Sequence, residues 1–262
     1  LGRQMVRLAL GLAGLYVLAR VDYKLLRRRL FSHGLLAVSL ALLVLALALG
    51  GIGHYSRWLH LRWLPVQPIE MAKVAVVLFL ADRLGGRDWR AGLDRELAGV
   101  LAVPAAVVAL LVLQPNFGSA LVIVLLTIAM LYLAGAPWRL LGTLVGPAAG
   151  AALLAAVTVP KLQARLLEWR DGLLGDGSGY QVEQSLIGLG AGGWHGFGFG
   201  QSHQRFWFLP EPHTDFIFSV IGEELGLLGA VATLLLLVLV IWRGYAIASR
   251  AADRFGRLVA GG

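Results

Sequence analysis

Residues 35–49 read LLAVSLALLVLALAL, an apolar run without a single charged side chain. The run lacks the alternation of polar and apolar residues that is typical of a membrane barrel strand. An open sheet would also leave backbone groups unpaired in lipid, whereas a helix pairs them within itself. The run therefore predicts a membrane-spanning helix within residues 34–52.

Six further stretches share this apolar character, and the fold class is predicted to be an all-α polytopic membrane protein. The chain has 262 residues, of which 58% are hydrophobic and 15% charged, and its mean hydropathy is +0.75. A hydrocarbon core is crossed by about 20 helical residues. We predict a bundle of about seven transmembrane helices at 5–20, 34–52, 66–84, 97–114, 117–134, 139–159 and 216–242.

Basic residues are distributed unevenly over the loops between these predicted helices. Fourteen Lys and Arg residues lie on one set of alternate loops, and six lie on the other set. Because basic loops tend to stay in the cytoplasm, segments 53–65 and 160–215 are predicted to face outward. We interpret the net charge of +8 as a sign of topology and of attraction to anionic lipid, and we expect no nucleic-acid partner.

Segment 160–215 is predicted to form a large extracytoplasmic loop before the last predicted helix. Its first part, LQARLLEWRDGLL, is amphipathic and fits a helix in the membrane interface. Residues 188–200 are rich in glycine, and their backbone amides could receive a phosphate oxygen. Three glycines of the sixth predicted helix instead favour close helix packing, namely Gly142, Gly146 and Gly150.

Polar residues cluster where two of the predicted helices begin at the outer side. Glu70 and Lys73 are three residues apart, so they share a helix face and can pair. Such a pair either anchors a helix end or lines a cavity, and two opposite charges in a spanning helix favour the cavity. Arg57 and Trp58 precede that helix, where they suit an interfacial belt and a functional site equally.

Two outer turns carry residues for which a structural role and a chemical role both remain open. Asn116, in the turn after Gln114, is expected to cap the helix that starts at Phe117. Asp215, two residues after His213, either caps the last helix or accepts a proton as a buried carboxylate.

Four motifs resemble those of the SEDS family (shape, elongation, division and sporulation), which includes FtsW and RodA. The resemblance covers nearly the whole chain and is closer to the FtsW branch. The motifs are QPIEMAK at 67–73, LQPNFGSAL at 113–121, YQVEQSLIGLGAGG at 180–193 and LPEPHTDFIFSVIGEELG at 209–226.

The resemblance implies a peptidoglycan glycosyltransferase that polymerises lipid II at the outer face of the bacterial cytoplasmic membrane. It implies Asp215 as the catalytic residue, lipid II and undecaprenyl-linked glycan as ligands, and a class B penicillin-binding protein with other division or elongation proteins as partners. No cofactor is expected with certainty, and a divalent cation is left open. The candidate substrate or cavity residues are Arg57, Trp58, Glu70, Lys73, Gln114, Asn116, Gln184, Ser185, Gln204, His213 and Glu223.

The chain departs from the family pattern at two positions and in its extent. The family usually has Asp where this chain has Asn116, and Ser where it has Ile69. Of the family's ten spanning helices, the chain resembles helices two to eight. We therefore expect one SEDS-like domain over 1–262, truncated at both ends. A lipid II transporter and a catalytically silent division scaffold are the alternative functions.

Overall fold

The computed structural model describes residues 2–50, 59–61, 64–89, 92, 94–174, 180–202 and 216–262. These residues form ten α-helices, one 3-10 helix and one antiparallel hairpin of two short strands. In chain order they are α1 (Gly2–Arg20), the 3-10 helix (Tyr23–Arg27), α2 (Arg29–Gly50), β1 (Leu59–Leu61), β2 (Leu64–Val66), α3 (Pro68–Leu84), α4 (Arg95–Leu113), α5 (Phe117–Leu133), α6 (Trp138–Thr158), α7 (Pro160–Leu174), α8 (Tyr180–Ala191), α9 (Ile217–Arg250) and α10 (Arg254–Gly261).

The predicted all-α class is confirmed, and each of the seven predicted spans coincides with a helix, α1 to α6 and α9. Among the described residues, α2, α4, α6 and α9 are long and apolar enough to cross a membrane. The amphipathic stretch forms α7 as expected. The sequence did not predict α8, α10 or the strand hairpin, which occupies the end of the expected outer loop 53–65 and the next residue, Val66.

The chain divides into two compact units. The first unit contains residues 1–146 and 244–262, and the second contains residues 147–243. The boundaries fall within α6 and α9, so these two helices belong partly to each unit.

Helix α3 is the centre of the first unit. It packs against α2, α4, α5 and α10. Three of its buried residues are alanines, at positions 72, 75 and 81, which let neighbouring helices approach closely. Phe79 and Leu80 fill the remaining space, so most of α3 lies in a packed core.

Several connections of the first unit meet at the C-terminal end of α3. Tyr23 donates a hydrogen bond to Asp253, the N-cap of α10, over 3.2 Å. Arg27 pairs with Asp82 of α3 at 3.4 Å. The Trp89 indole nitrogen donates to the carbonyl of Ala134 over 2.9 Å. The 3-10 helix thus lies at one end of the unit together with the segments that follow α3, α5 and α9. The distribution of basic residues requires these connections to lie on one side of the membrane.

A buried arginine is neutralised at the same end. The Arg87 side chain is only 6% exposed, and it lies 2.6 Å from Asp94 and 3.5 Å from Glu96. Asp94 is also the N-cap of α4 and accepts from the Leu97 amide over 2.8 Å. The hydrogen bond from the Leu97 amide and the Arg87 guanidinium together hold the pKa of the Asp94 carboxyl below its ordinary value. The first turn of α4 is therefore joined to the loop that precedes it.

Helix α9 of the second unit is interrupted at Gly226, where φ is 67° and ψ is −165°. An unbroken helix would pair the amides of Leu227 and Leu228 with the carbonyls four residues earlier. These groups bond instead to residues 192–202, which overlap the glycine-rich stretch and are called the glycine-rich segment below. The four hydrogen bonds are Phe197 to Glu223, Gly198 to Glu224, Leu227 to Gly193 and Leu228 to Trp194, each from backbone N–H to carbonyl, at 3.0, 2.9, 2.8 and 3.3 Å.

This backbone contact requires glycine at the closest points of approach. A Cβ atom at Gly196 would lie 2.2 Å from the Glu224 carbonyl oxygen. One at Gly226 would lie 2.5 Å from the Gly196 nitrogen, and both residues have positive φ. Glycine alone permits this conformation and spacing together.

The packing expected of the glycines in α6 is wrong for the described residues. A Cβ atom at Gly142, Gly146 or Gly150 would meet no described atom within 4 Å. Small residues at this spacing permit close packing but do not themselves supply a partner helix.

Alanine at Gly226 is expected to destabilise the second unit. The substitution forces an L-residue into positive φ, which costs about 1–2 kcal/mol, and it adds the clash with Gly196. The matched control is Gly190→Ala in α8, where an added Cβ meets nothing within 4 Å and helix propensity favours alanine by up to about 1 kcal/mol. Thermal unfolding in detergent should show a loss for the first variant only. Equal stability of the two variants would contradict the tight contact.

Candidate active site

The first group of candidate residues lies at the start of α3. The strand hairpin leads directly into this helix, with Leu59 opposite Val66 and Leu61 opposite Leu64. Pro68 occupies the first helical turn, where a missing N–H removes no intrahelical bond. Glu70 lies in the same turn, where the helix dipole favours a negative charge.

The predicted pair between Glu70 and Lys73 is present. The Lys73 Nζ atom lies 2.7 Å from a Glu70 carboxylate oxygen. The side chains are 35% and 59% exposed respectively, although most of α3 is buried. The pair therefore presents a cation and a carboxylate on the open side of the first unit, held by a rigid helix.

Gln114 and Asn116 occupy the turn between α4 and α5, and both are buried. The Gln114 side-chain nitrogen donates to the Leu43 carbonyl of α2 over 2.8 Å, so this amide connects the turn to α2. Asn116 stands at the N-cap position of α5, but its side chain makes no capping hydrogen bond. The capping expectation is wrong because Asn116 has φ −106° and ψ 61° and its backbone amide turns back to the Leu111 carbonyl.

The second group of candidates lies on α8 and α9 in the other unit. Gln184 and Ser185 are half-buried on α8. The Ser185 carbonyl accepts a 2.7 Å hydrogen bond from the Ser219 hydroxyl, which joins α8 to the first turn of α9. Both candidates of α8 are thereby fixed relative to the start of α9.

Glu223 is a buried carboxylate two turns into α9. Its side chain accepts a 2.5 Å hydrogen bond from the Ser202 hydroxyl, and both residues are buried. A buried carboxylate requires a hydrogen-bond donor to offset its lost hydration, and the Ser202 hydroxyl supplies one. The Glu223 side chain therefore contacts the last residue of the glycine-rich segment, Ser202.

The glycine-rich segment does not present all its amides to a ligand. The amides of Phe197 and Gly198 donate to α9, and the Gly196 amide donates to the Gly192 carbonyl. Three donors that a phosphate would need are thus engaged within the protein. This argues against the prediction that the amides of this segment bind a phosphate oxygen.

The remaining candidates lie outside the described residues: Arg57, Trp58, Gln204, His213 and Asp215. Arg57 and Trp58 directly precede β1 in the chain, and Asp215 directly precedes the turn into α9. Within the described ranges, no group of three His, Cys, Asp or Glu side chains is placed to hold a metal ion.

The family model of the cell cycle proteins FtsW, RodA and SpoVE matches residues 1–262. The chain belongs to the FtsW/RodA/SpoVE family. This confirms the resemblance to the SEDS family.

Curated members of the family are similar over almost the whole chain. The probable peptidoglycan glycosyltransferase FtsW of Hydrogenovibrio crunogenus is 38% identical over 99% of this chain and 68% of its own length. The corresponding protein of Halorhodospira halophila is 41% identical over 94% and 63%. Stage V sporulation protein E of Bacillus subtilis is 35% identical over 99% and 72%. The chain thus spans about two thirds of the length of these FtsW relatives.

Solved structures of the family have the same fold. A chain from a peptidoglycan synthase complex, studied for the coordination of polymerization and crosslinking, has a TM-score of 0.74 at 31% identity. That alignment covers 99% of this chain and 73% of the other. The rod shape determining protein RodA of Thermus thermophilus has a TM-score of 0.65 at 31% identity, over 99% and 69%.

Sequence reasoning missed three residues that organise the second group. Ser202 and Ser219 each form a contact between segments, yet a lone serine carries no local signal for such a contact. Gly226 interrupts an apolar helical pattern, and an isolated glycine there is a weak sign of a break. The packing of the glycine-rich segment against α9 reveals Ser202 and Gly226, and the packing of α8 against α9 reveals Ser219.

A double-mutant cycle of Lys73→Met and Glu70→Gln measures the coupling of the α3 pair. Because both side chains are partly exposed, we expect a coupling of about 0.2–1 kcal/mol in the free energy of unfolding. A buried pair would instead lose about 3–5 kcal/mol when one partner is removed. Chemical unfolding of the parent and three variants in detergent gives this value. A coupling above about 3 kcal/mol would contradict the exposed position.

Proposed function

We propose that the chain is the membrane-embedded core of a peptidoglycan glycosyltransferase that polymerises lipid II into glycan strands. The observation that carries the proposal is the family match over residues 1–262, with relatives named peptidoglycan glycosyltransferase at 38–41% identity. The paired Glu70 and Lys73 at the open start of α3 support it, because a polar site at a membrane surface suits a charged, lipid-linked substrate.

The reaction needs a base and a cation. Extension of a glycan from a lipid pyrophosphate donor requires a base for the acceptor hydroxyl and positive charge for the departing pyrophosphate. Asp215 serves as the base, and Lys73, Arg57 or Arg205 supplies the positive charge. One carboxylate acting on one face of the sugar leads to inversion at the anomeric carbon.

The proposed location is the bacterial cytoplasmic membrane, with the site on the outer face. The excess of basic residues on alternate loops supports this orientation. The proposed partner is a class B penicillin-binding protein, and the similarity to a chain of a peptidoglycan synthase complex supports an assembly of this kind.

Replacement of Asp215 by Asn is expected to nearly abolish polymer formation. A positioned base typically contributes about 10² to 10⁴ in rate, and an amide has no useful basicity near neutral pH. The matched control is Asn116→Asp, which restores the family's usual carboxylate and should preserve or raise activity. The protein is reconstituted with lipid II and its partner, and glycan polymer is separated and quantified.

The same reconstitution separates the proposal from its alternatives. Polymer made by Asp215→Asn at the parental rate would show that Asp215 only caps α9. Lipid II flipping without polymer by the parent protein would identify a transporter. Absence of both activities, with the partner still bound, would identify a scaffold.

Cysteine labelling tests the outward orientation. The chain has no cysteine, so a single introduced thiol is unique. Glu168→Cys on α7 and Arg257→Cys on α10 both replace exposed residues, and α7 is assigned to the outer face and α10 to the cytoplasm. An impermeant maleimide added to intact spheroplasts should label only the first. Equal labelling of both, with membranes intact, would overturn the orientation.

A further inference from the structure

An open pocket of about 580 Å³ lies at one end of the first unit. Its lining comes from the connection between α3 and α4, the turn between α5 and α6, and Arg254, the first residue of α10. Its volume falls within the range of small-ligand sites, about 300–1,000 Å³. An added Cβ atom at Gly86 would meet no described atom within 4 Å, so this part of the lining leaves space for a ligand.

One wall of the pocket is fixed by contacts within the protein. The Trp89 indole nitrogen donates to the Ala134 carbonyl over 2.9 Å, and the Arg87 guanidinium lies 5.6 Å from the centre of the Trp89 ring. Arg87 is itself held by the Asp94 and Glu96 carboxylates. A wall that is already ordered loses little conformational entropy when a ligand binds.

Arg254 provides the pocket with a positive charge that no carboxylate of the described residues neutralises. Its side chain is exposed, and none of the ion pairs among the described residues includes it. The carboxylate of the preceding residue, Asp253, accepts instead from the Tyr23 hydroxyl and the Gly256 amide. Arg254 is therefore available to a ligand that carries a negative charge.

Two other charged residues line the pocket. Arg87 is already paired with two carboxylates, and Asp88 is exposed and opposes the binding of an anion. An anion in the pocket is therefore bound chiefly through Arg254. A guanidinium presents a planar set of donors that matches the oxygens of a phosphate, so a phosphate group is the ligand chemistry that fits best.

Exposed aromatic residues place the pocket at the level of lipid headgroups. Tyr132 and Trp138 are both exposed, and their ring centres are 5.4 Å apart. They flank the turn from which Gly135 and Pro137 line the pocket. Tyrosine and tryptophan concentrate where a membrane meets water, and basic pockets between spanning helices on the cytoplasmic side bind anionic headgroups. The distribution of basic residues assigns this end of the unit to that side.

We propose that this pocket binds the phosphate headgroup of an anionic phospholipid, with Arg254 as the phosphate-binding residue. Inorganic phosphate offers the same chemistry, but the interfacial aromatic residues beside the pocket favour a lipid. The site is separate from the residues assigned to glycan polymerisation. The inference therefore does not depend on the proposed function.

Native mass spectrometry of the purified, delipidated protein with added phosphatidylglycerol tests the site. Arg254→Gln removes a charged hydrogen-bond donor, and we expect Kd for phosphatidylglycerol to rise about tenfold. The matched control, Arg257→Gln, removes the same charge from an exposed residue of the same helix that does not line the pocket, and Kd should stay within about twofold. Both replaced side chains are exposed, so thermal unfolding should be unchanged in both variants.

Equal increases in Kd for the two variants would show diffuse attraction to a basic surface and would overturn the pocket. Phosphatidylcholine carries the phosphate without a net negative charge, so it should bind more weakly than phosphatidylglycerol, and equal affinity would contradict the proposal. A separate titration uses inorganic phosphate at matched ionic strength. Binding of phosphate that depends on Arg254, without binding of phosphatidylglycerol, would identify a soluble anion and overturn the lipid assignment.

Discussion

The pairing of backbone groups across the break in α9 is the constraint on which the second unit depends. Lipid offers no water to carbonyls and amides released from a helix, so a break persists only where protein groups replace the lost bonds. The segment 192–202 supplies four backbone hydrogen bonds at this point. Its close approach needs glycine at 196 and 226. Ser202, the last residue of this segment, donates a further hydrogen bond to the Glu223 side chain.

The first unit is stabilised by side-chain packing around α3. Helix α3 is enclosed by α2, α4, α5 and α10, and small residues on it let these neighbours come close. Its C-terminal end is surrounded by ion pairs and capping contacts. The first two turns of α3 are partly open, and Glu70 and Lys73 are located there. A mostly buried helix with a charged pair at its partly open start can hold a cation in place without exposing the core.

Apolar runs predicted where each spanning helix lies, because a helix that crosses a membrane must be apolar over the hydrocarbon thickness. The ends were less accurate, since α9 continues to Arg250 instead of ending at 242. Helix α4 was expected at 97–114 and occupies Arg95–Leu113, since Asp94 caps it one turn earlier than the apolar run begins. Helix α8 was not predicted because Gly188 and Gly190 weaken a helical pattern. Helix α10 was not predicted either, since only its buried residues Phe255 and Leu258 signal the packing that stabilises it.

The sequence by itself determined the membrane class, the number and place of the apolar helices, the family and the pair on α3. These depend on composition, on local spacing within one helix, and on motifs. The tertiary structure alone decided that Gln114 binds the Leu43 carbonyl, that Asn116 does not cap α5, and that Glu223 holds Ser202. Each of these features depends on how segments that are distant in sequence pack against one another. A local residue pattern carries no information about which distant segment will lie beside it.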